Sequence, residues 1–457
     1  MHLTVSLRIL GMLLMLFSSA MLLPLVIAVL DDDSTITGFL TAFSITFLSG
    51  VAMWLPVRHI RHELRIRDGF LITSLFWTVL GVFGSLPFAL TDALQLTAAE
   101  AVFESISGLT TTGATVISGL DTLPASILFY RQLLQWLGGI GIIVVAVAVL
   151  PMLGIGGMQL YKAETPGPSK DNKLTPRITE TAKALFVVYV ALTACCALAY
   201  YAAGMSGFDA ICHAFSTVAI GGFSTHDASM GYFNSNAILL ICSLFMVVSA
   251  INFGLHFTAW RMRSGRVYRR DSETRFFLGV LLVCVSLTCS YLIVSGTLEL
   301  EEGLVHGLFQ AISITTTTGF ATQDFAYWPG FLPVMLLMFS FMGGCVGSTG
   351  GGIKAMRLML IYMQGIRELK QLIHPQAVIP LKVGKRRVEA SVVSAVWSFF
   401  AVYMFAFITL MLALMATGLD FTTSFSAVAA SLNNLGPGLG EVAANYSGIS
   451  ETAKGLL

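Results

Sequence analysis

The sequence predicts an all-α polytopic membrane protein: two N-terminal spans, then four copies of a unit made of an outer helix, a short helix, an extended loop and an inner helix. Three observations support this. Of 457 residues, 56% are hydrophobic and 11% charged, well under the charge of an ordinary soluble domain. Long apolar runs recur along the chain, each sufficient to cross a bilayer. Between them stand four related stretches: Thr110-Thr111-Thr112-Gly113-Ala114, Ala219-Ile220-Gly221-Gly222-Phe223, Thr315-Thr316-Thr317-Thr318-Gly319-Phe320 and Asn433-Asn434-Leu435-Gly436-Pro437. Their period, roughly a hundred residues, is too long for a solenoid repeat.

The first span covers 8–30. Its apolar run exceeds a signal-peptide core and no small-x-small cleavage site follows, so it reads as a retained helix. Asp31-Asp32-Asp33 makes a turn, 37–55 spans back, and Pro56 ends that helix. Unit one has an outer helix at 70–90, a short helix at 98–109 and an inner helix at 127–152. Unit two has these at 184–204, 208–218 and 237–260, and unit three at 277–296, 300–314 and 331–364. Unit four has 390–417 and 421–432. Its inner helix is expected near residue 450, yet the sequence ends at Leu457, so that helix is missing from the chain as given. The divisions are 1–68 for the N-terminal pair, then 69–183, 184–275, 276–388 and an incomplete 389–457.

The short helices hold about a dozen residues, too few to span a bilayer, so each reads as re-entrant and hands over to a loop at membrane depth. Irregular backbone is tolerated there only when buried in protein or lining a water path. Its carbonyl oxygens can replace an ion's hydration shell. Glycine permits the φ values that aim successive carbonyls at one axis. Threonine hydroxyls add oxygen ligands or tie the loop to its wall. The candidate filter is therefore Thr111, Thr112, Gly113, Ile220, Gly221, Gly222, Thr317, Thr318, Gly319, Asn434, Leu435 and Gly436. Six residues before each glycine stand Ser107, Ser216, Ser313 and, breaking the pattern, Ala430. The fold class becomes two N-terminal spans plus four pseudo-fourfold outer helix–pore helix–filter–inner helix repeats.

Lysine and arginine concentrate in Arg58–Arg67, Lys162–Lys183, Arg261–Arg275 and Arg367–Arg387. The positive-inside rule makes these segments and the N-terminus cytoplasmic, with the filter loops facing out. Acidic residues gather on the outer side, among them Asp121, Asp209, Asp227, Asp324 and Asp420. An acidic mouth concentrates cations, although helix capping accounts for part of the set, with Asp209 and Asp420 placed as caps. A net charge of +1 gives no reason to expect nucleic acid. The seven cysteines show no metal or disulfide spacing and read as small apolar packing residues.

The third inner helix carries Gly343, Gly344, Gly347, Gly350, Gly351 and Gly352 within ten residues, with Ser348 and Thr349 between them. Each glycine costs a helix about 1 kcal/mol against alanine. A flexible intramembrane loop beneath the filter, acting as a gate, fits better than close helix packing, which needs small residues only at every fourth position. Lys354 and Arg357 follow, either as electrostatic resistance at the inner mouth or as an ordinary cytoplasmic helix end. Arg131, inside the first inner helix, needs a partner, and Glu104 on the preceding short helix is the candidate. His213 and His306 read as hydrogen-bonded packing residues. Gly347-Ser-Thr-Gly-Gly-Gly-Ile-Lys354 lacks the ending and context of a phosphate loop. No nucleophile–base arrangement suggests an enzyme.

These stretches, together with Gln135-Trp-Leu-Gly-Gly-Ile-Gly141, Phe223-Ser-Thr-His-Asp227, Phe320-Ala-Thr-Gln-Asp324 and Asn434-Leu-Gly-Pro-Gly-Leu-Gly440, resemble the Trk/Ktr/HKT superfamily of cation transporters, and within it the bacterial TrkH/TrkG branch. The resemblance covers essentially the whole chain. It implies a potassium uptake protein of the bacterial inner membrane, embedded in lipid and with potassium as the transported substrate held by filter carbonyls. It implies no covalent cofactor, a homodimer with one pore per subunit, and cytoplasmic nucleotide-binding regulatory subunits of the TrkA type. Relatives favouring sodium often carry serine at the first filter position; Gly113 here implies potassium. The alternative on the same fold is a symporter coupling potassium to a proton or sodium.

Overall fold

The computed structural model describes residues 3–59, 66–144, 174–384 and 386–457. Arg61, Arg65, the 145–152 end of the expected first inner helix and most of the 162–183 basic segment lie outside the described residues. The chain is mostly helical and is a multi-pass membrane protein. Six described helical stretches are long and apolar enough to cross a membrane: Ser6–Leu30, Ile36–Val57, Leu71–Ala89, Ala182–Ala202, Ser272–Val294 and Ala390–Ala416.

The first span is two helices, α1 (Leu3–Ala20) and α2 (Leu22–Leu30), broken at Met21. Pro24 explains the break, because it supplies no N–H for the Ala20 carbonyl. Helix α3 (Ile36–Trp54) returns and ends in a 3₁₀ turn containing Pro56. It crosses α1 where Gly11 meets Gly50; a Cβ on Gly11 would lie 2.7 Å from the Gly50 carbonyl oxygen. Small residues are what allow membrane helices to approach this closely. In the turn before α3, Asp33 accepts the Thr35 N–H at 2.7 Å and the Ser126 hydroxyl at 2.6 Å.

The chain continues as α4 (Ile66–Gly84), α5 (Leu86–Ala89), the short α6 (Ala98–Leu109) and α7 (Ala125–Val144). Next come α8 (Leu174–Ala202), the short α9 (Gly207–Ala219), α10 (Asn236–Ser249), α11 (Phe253–Met262) and α12 (Arg266–Arg270). Helix α13 (Ser272–Val294) leads to the short α14 (Leu300–Thr316), α15 (Leu332–Ser340) and α16 (Ala355–Ile373). After an antiparallel pair, Lys382–Val383 with Arg386–Arg387, the chain forms α17 (Ala390–Ala416), the short α18 (Phe421–Asn433) and α19 (Glu451–Leu456). The last begins where a fourth inner helix is expected, with Ser450 accepting the Ala453 N–H as its N-cap.

Three expectations need correction. The helix expected over 237–260 is α10 and α11, bent by 94°. The intrahelical bonds lost at the bend are replaced by bonds to the glycine-rich segment: Cys345 N–H donates to the Ala250 carbonyl at 2.8 Å, and Phe253 N–H to the Gly347 carbonyl at 3.0 Å. Asn252 caps α11 by accepting the Gly254 N–H at 2.7 Å. Arg367 and Lys370, expected in a loop, lie on α16, which runs on to Ile373. The first span, expected as one helix over 8–30, is α1 and α2 with the break at Met21.

Buried apolar side chains form three main clusters around the short helices. Leu282, Val402 and Phe405 on the long helices are exposed, as lipid-facing residues should be.

Candidate functional site

Three of the four short helices, α6, α9 and α18, carry a side-chain cap. At their starts, Thr97 and Glu100 form a reciprocal capping box on α6. Ser206 caps α9 by accepting the Asp209 N–H at 3.0 Å, so the cap is Ser206 and Asp209 sits in the first turn. Asp420 caps α18, accepting the N–H groups of Thr422 and Thr423 at 2.9 and 3.2 Å. Bonds from the Thr423 hydroxyl and backbone hold the Asp420 carboxyl below its ordinary range.

The other ends repeat one geometry. Thr111, Ile220, Thr317 and Asn434 are left-handed, with φ of +60°, +56°, +66° and +55°. Two residues on, Gly113, Gly222, Gly319 and Gly436 have φ of +80°, +82°, +85° and +87°, a region where a side chain is strained. The residue before each glycine donates its N–H five residues back: Thr112 to Ser107, Gly221 to Ser216, Thr318 to Ser313 and Leu435 to Ala430, at 2.8, 2.9, 2.8 and 2.8 Å. Ala430 therefore breaks the side-chain pattern and keeps the backbone bond.

The loops touch in a closed order. A Cβ on Gly113 would overlap the carbonyl oxygen of Gly221, one on Gly222 that of Thr318, and one on Gly319 that of Leu435. A Cβ on Gly436 would lie 2.9 Å from the carbonyl oxygens of Thr112 and Gly113. Each loop thus backs onto the next and the fourth returns to the first.

Buried polar side chains brace this ring. Arg131 Nε lies 2.8 Å from Glu104 Oε1, with both side chains buried. The guanidinium also donates to the Ser224 carbonyl and the Thr115 hydroxyl at 3.0 Å each and sits 4.2 Å above the Phe223 ring. Glu104 accepts the Val116 N–H at 2.9 Å. The pair therefore ties the strand after Gly113 to the strand after Gly222. Gln135 donates to the Gly221 carbonyl at 2.7 Å and accepts the Phe223 N–H at 3.1 Å, and Tyr446 donates to the Gly436 carbonyl at 2.8 Å. Ser313 donates to the Phe320 carbonyl at 2.6 Å, whereas Ser107 Oγ has no hydrogen-bond partner among the described residues.

The segment 341–354 between α15 and α16 is not helical. It runs under the ends of three short helices. Thr349 donates to the Val218 carbonyl at 2.9 Å, Gly351 N–H to the Thr317 hydroxyl at 2.7 Å, and Gly352 N–H to the Asn433 carbonyl at 2.9 Å. Gly343 and Gly352 sit back to back, closing the segment into a hairpin-like loop. Gly344, Gly347, Ser348 and Gly350 lie within it, and Ser348 is buried. Lys354, at φ +82°, donates from Nζ to the Gly350 carbonyl, so it folds back onto the loop.

In the segments that follow the glycines, His226 Nδ1 meets Asp121 at 2.5 Å, and Asp227 accepts the Gly119 N–H at 3.0 Å. Asp324 accepts the Ala326 N–H at 3.0 Å. His213 bonds Ser224 and the Asp209 carbonyl, and His306 bonds Thr322. Tyr446, Asn252 and Glu273 were not singled out by sequence reasoning, and Gln135 entered only as the first residue of the Gln135–Gly141 stretch, without a role. For Gln135 a signal existed: Gln132 and Gln135 lie three apart, on one face of a largely apolar helix.

The fold and this ring define a helical membrane protein built around four converging loops. The profile of the TrkH cation transport protein family matches residues 36–456, and the chain belongs to that family. A Trk system potassium uptake protein TrkH from Halomonas elongata is 56% identical, covering all of this chain and 95% of the relative. The Escherichia coli K12 protein of the same name is 51% identical over 100% and 95% of the two chains. The crystal structure of the potassium transporter TrkH from Vibrio parahaemolyticus superposes with a TM-score of 0.93 at 51% identity, over 100% of this chain and 95% of that one.

Proposed function

We propose that this chain takes up potassium across the bacterial inner membrane through a channel-like pore. The closed order of contacts among the loops of Gly113, Gly222, Gly319 and Gly436 carries the reading. Four extended backbones around one axis form the arrangement that carbonyl coordination of a monovalent cation requires. The names and similarity of the relatives support potassium as the substrate. Thr111, Thr112, Ile220, Gly221, Thr317, Thr318, Asn434 and Leu435 complete the filter. The Gly221 carbonyl, already bonded to Gln135, keeps its second lone pair for the ion.

The segment from Gly343 to Gly352 is the gate, with Lys354 holding it from within. The four repeats follow the divisions at 69–183, 184–275, 276–388 and 389–457, after the N-terminal domain 1–68. The protein works as a homodimer with TrkA-type nucleotide-binding subunits on its cytoplasmic face, where the N-terminus and basic segments lie. An inside-negative potential of 100 mV adds about 2.3 kcal/mol per ion to the drive.

The test is rubidium and sodium flux into liposomes at clamped potential and varied pH. Flux that follows the potential, prefers rubidium and ignores the proton gradient is expected. Uphill flux driven by a proton or sodium gradient would replace the channel with a symporter.

A further inference from the structure

Glu273 lies near the start of Ser272–Val294, is 2% exposed, and plays no part in the filter. Its Oε1 accepts two backbone N–H groups, Val346 at 2.7 Å and Met356 at 3.1 Å. These donors bracket Gly347, Gly350, Gly351, Gly352 and Lys354, so one carboxylate oxygen joins the two ends of the glycine-rich loop. The same neck is closed from inside by Ala355 N–H on the Gly344 carbonyl at 3.1 Å and Ile353 N–H on the Phe341 carbonyl at 2.9 Å.

Capping does not explain the residue. Asp271 already caps the helix, accepting the Thr274 N–H at 2.6 Å. Burying a carboxylate is unfavourable unless hydrogen bonds compensate, and here one compensating donor, Val346, belongs to the loop and the other, Met356, to the first turn of the helix that follows it. On its opposite side the loop is held to Ala250 and Phe253 by backbone bonds alone, which no side-chain change removes.

We infer that Glu273 is a positioning residue for the gate: it clamps the neck of the 341–354 loop and so holds the loop closed beneath the filter. This rests on the gate reading above. The geometry predicts that loss of the acceptor frees both ends together, while a neutral acceptor of the same shape preserves the clamp.

The experiment compares resting rubidium flux in liposomes for the full chain and for Glu273→Ala, Glu273→Gln, Glu273→Met and a deletion of Gly347–Gly351. Glu273→Ala should raise resting flux roughly tenfold, Glu273→Gln should stay within about threefold of the parent, and the rubidium-to-sodium ratio should be unchanged in both. Glu273→Met, which fills the volume without an acceptor, should behave as Glu273→Ala and stands in for it if the alanine variant is not recovered folded. Parent-like flux in folded Glu273→Ala or Glu273→Met, alongside raised flux in the deletion, overturns the clamp and leaves the gate standing. Unchanged flux in the deletion overturns the gate itself.

Discussion

The Thr317 hydroxyl accepts the Gly351 N–H at 2.7 Å, so a residue of the third converging loop and a residue of the glycine-rich segment share one hydrogen bond. Thr317 is also the left-handed residue that ends its short helix. The glycine-rich segment is therefore fastened to the residue that sets the course of the loop through Gly319.

Thr317→Val keeps the shape and removes the acceptor, leaving the Gly351 amide unsatisfied. An orphaned amide in such a part-buried site costs about 1–3 kcal/mol, roughly a 5- to 150-fold shift in the closed-to-open balance of the proposed gate. Resting rubidium flux should rise by a factor in that range in Thr317→Val and by much less in Thr317→Ser. Equal flux in the two variants would detach the loop from the filter.

Substitution at the ring glycines should be graded. A side chain on Gly222 or Gly319 collides with a neighbouring backbone carbonyl, whereas at Gly436 the nearest atoms stand 2.9 Å away. All three sites carry the strain of a left-handed backbone, about 1–2 kcal/mol. Gly222→Ala and Gly319→Ala should abolish rubidium flux. Gly436→Ala should keep a measurable fraction of it with a lower rubidium-to-sodium ratio.

Much of this architecture was legible in the sequence because local chemistry determined it. The short helix expected over 98–109 lies at Ala98–Leu109, where Thr97 and Glu100 supply a local start signal. The break in 341–354 follows from its glycines; the break at Met21 was missed, although Pro24 signals it. The bend between Ser249 and Phe253 was not legible, because that stretch contains neither proline nor glycine; it is held by distant partners, Cys345 and Gly347. Glu273 was hidden for the same reason. Its carboxylate reads as one more acidic group in a helix's first turn until the fold brings Val346 and Met356 to it.

Breaking the Glu104–Arg131 pair should destabilise the protein sharply. Removing one partner of a buried ion pair costs about 3–5 kcal/mol, whereas apolar replacement of both is far milder. Arg131→Met should lower the melting temperature more than Arg131→Met with Glu104→Leu. Exchanging the two charges should not rescue, because the guanidinium also serves Ser224, Thr115 and Phe223. Thermal melting followed by size-exclusion chromatography checks the order.

Asp420 gives a pH-dependent contribution. Its carboxyl is held below the ordinary range by hydrogen bonds from the Thr423 hydroxyl and backbone. Because the folded-state pKa is the lower one, the cap's contribution is complete above the unfolded value, about 3.9, and is lost as pH falls through the depressed one. The parent should therefore melt above Asp420→Ala at neutral pH, and the two should converge only below about pH 4. Asp420→Asn, an equally good cap, should match the parent at pH 7.

Gln135 offers a test of how tightly the second strand of the proposed filter must be held. Its amide uses both ends on that strand, the NH₂ on the Gly221 carbonyl and the oxygen on the Phe223 N–H. These contacts flank Gly222. Gln135→Leu removes both bonds at similar volume, leaving one acceptor and one donor unpaired in a buried site. Gln135→Glu restores the acceptor for Phe223 but sets a carboxylate against the Gly221 carbonyl. Selectivity depends on the number and placement of oxygens around the ion, so a loosened strand should admit sodium more readily. The expected order of rubidium-to-sodium preference is parent above Gln135→Glu above Gln135→Leu, with protein yield nearly unchanged for Gln135→Leu. Parallel flux and binding measurements with each ion check it. An unaltered ratio in folded Gln135→Leu would mean that the contacts of Gly222 with its neighbouring loop alone hold the second strand in place.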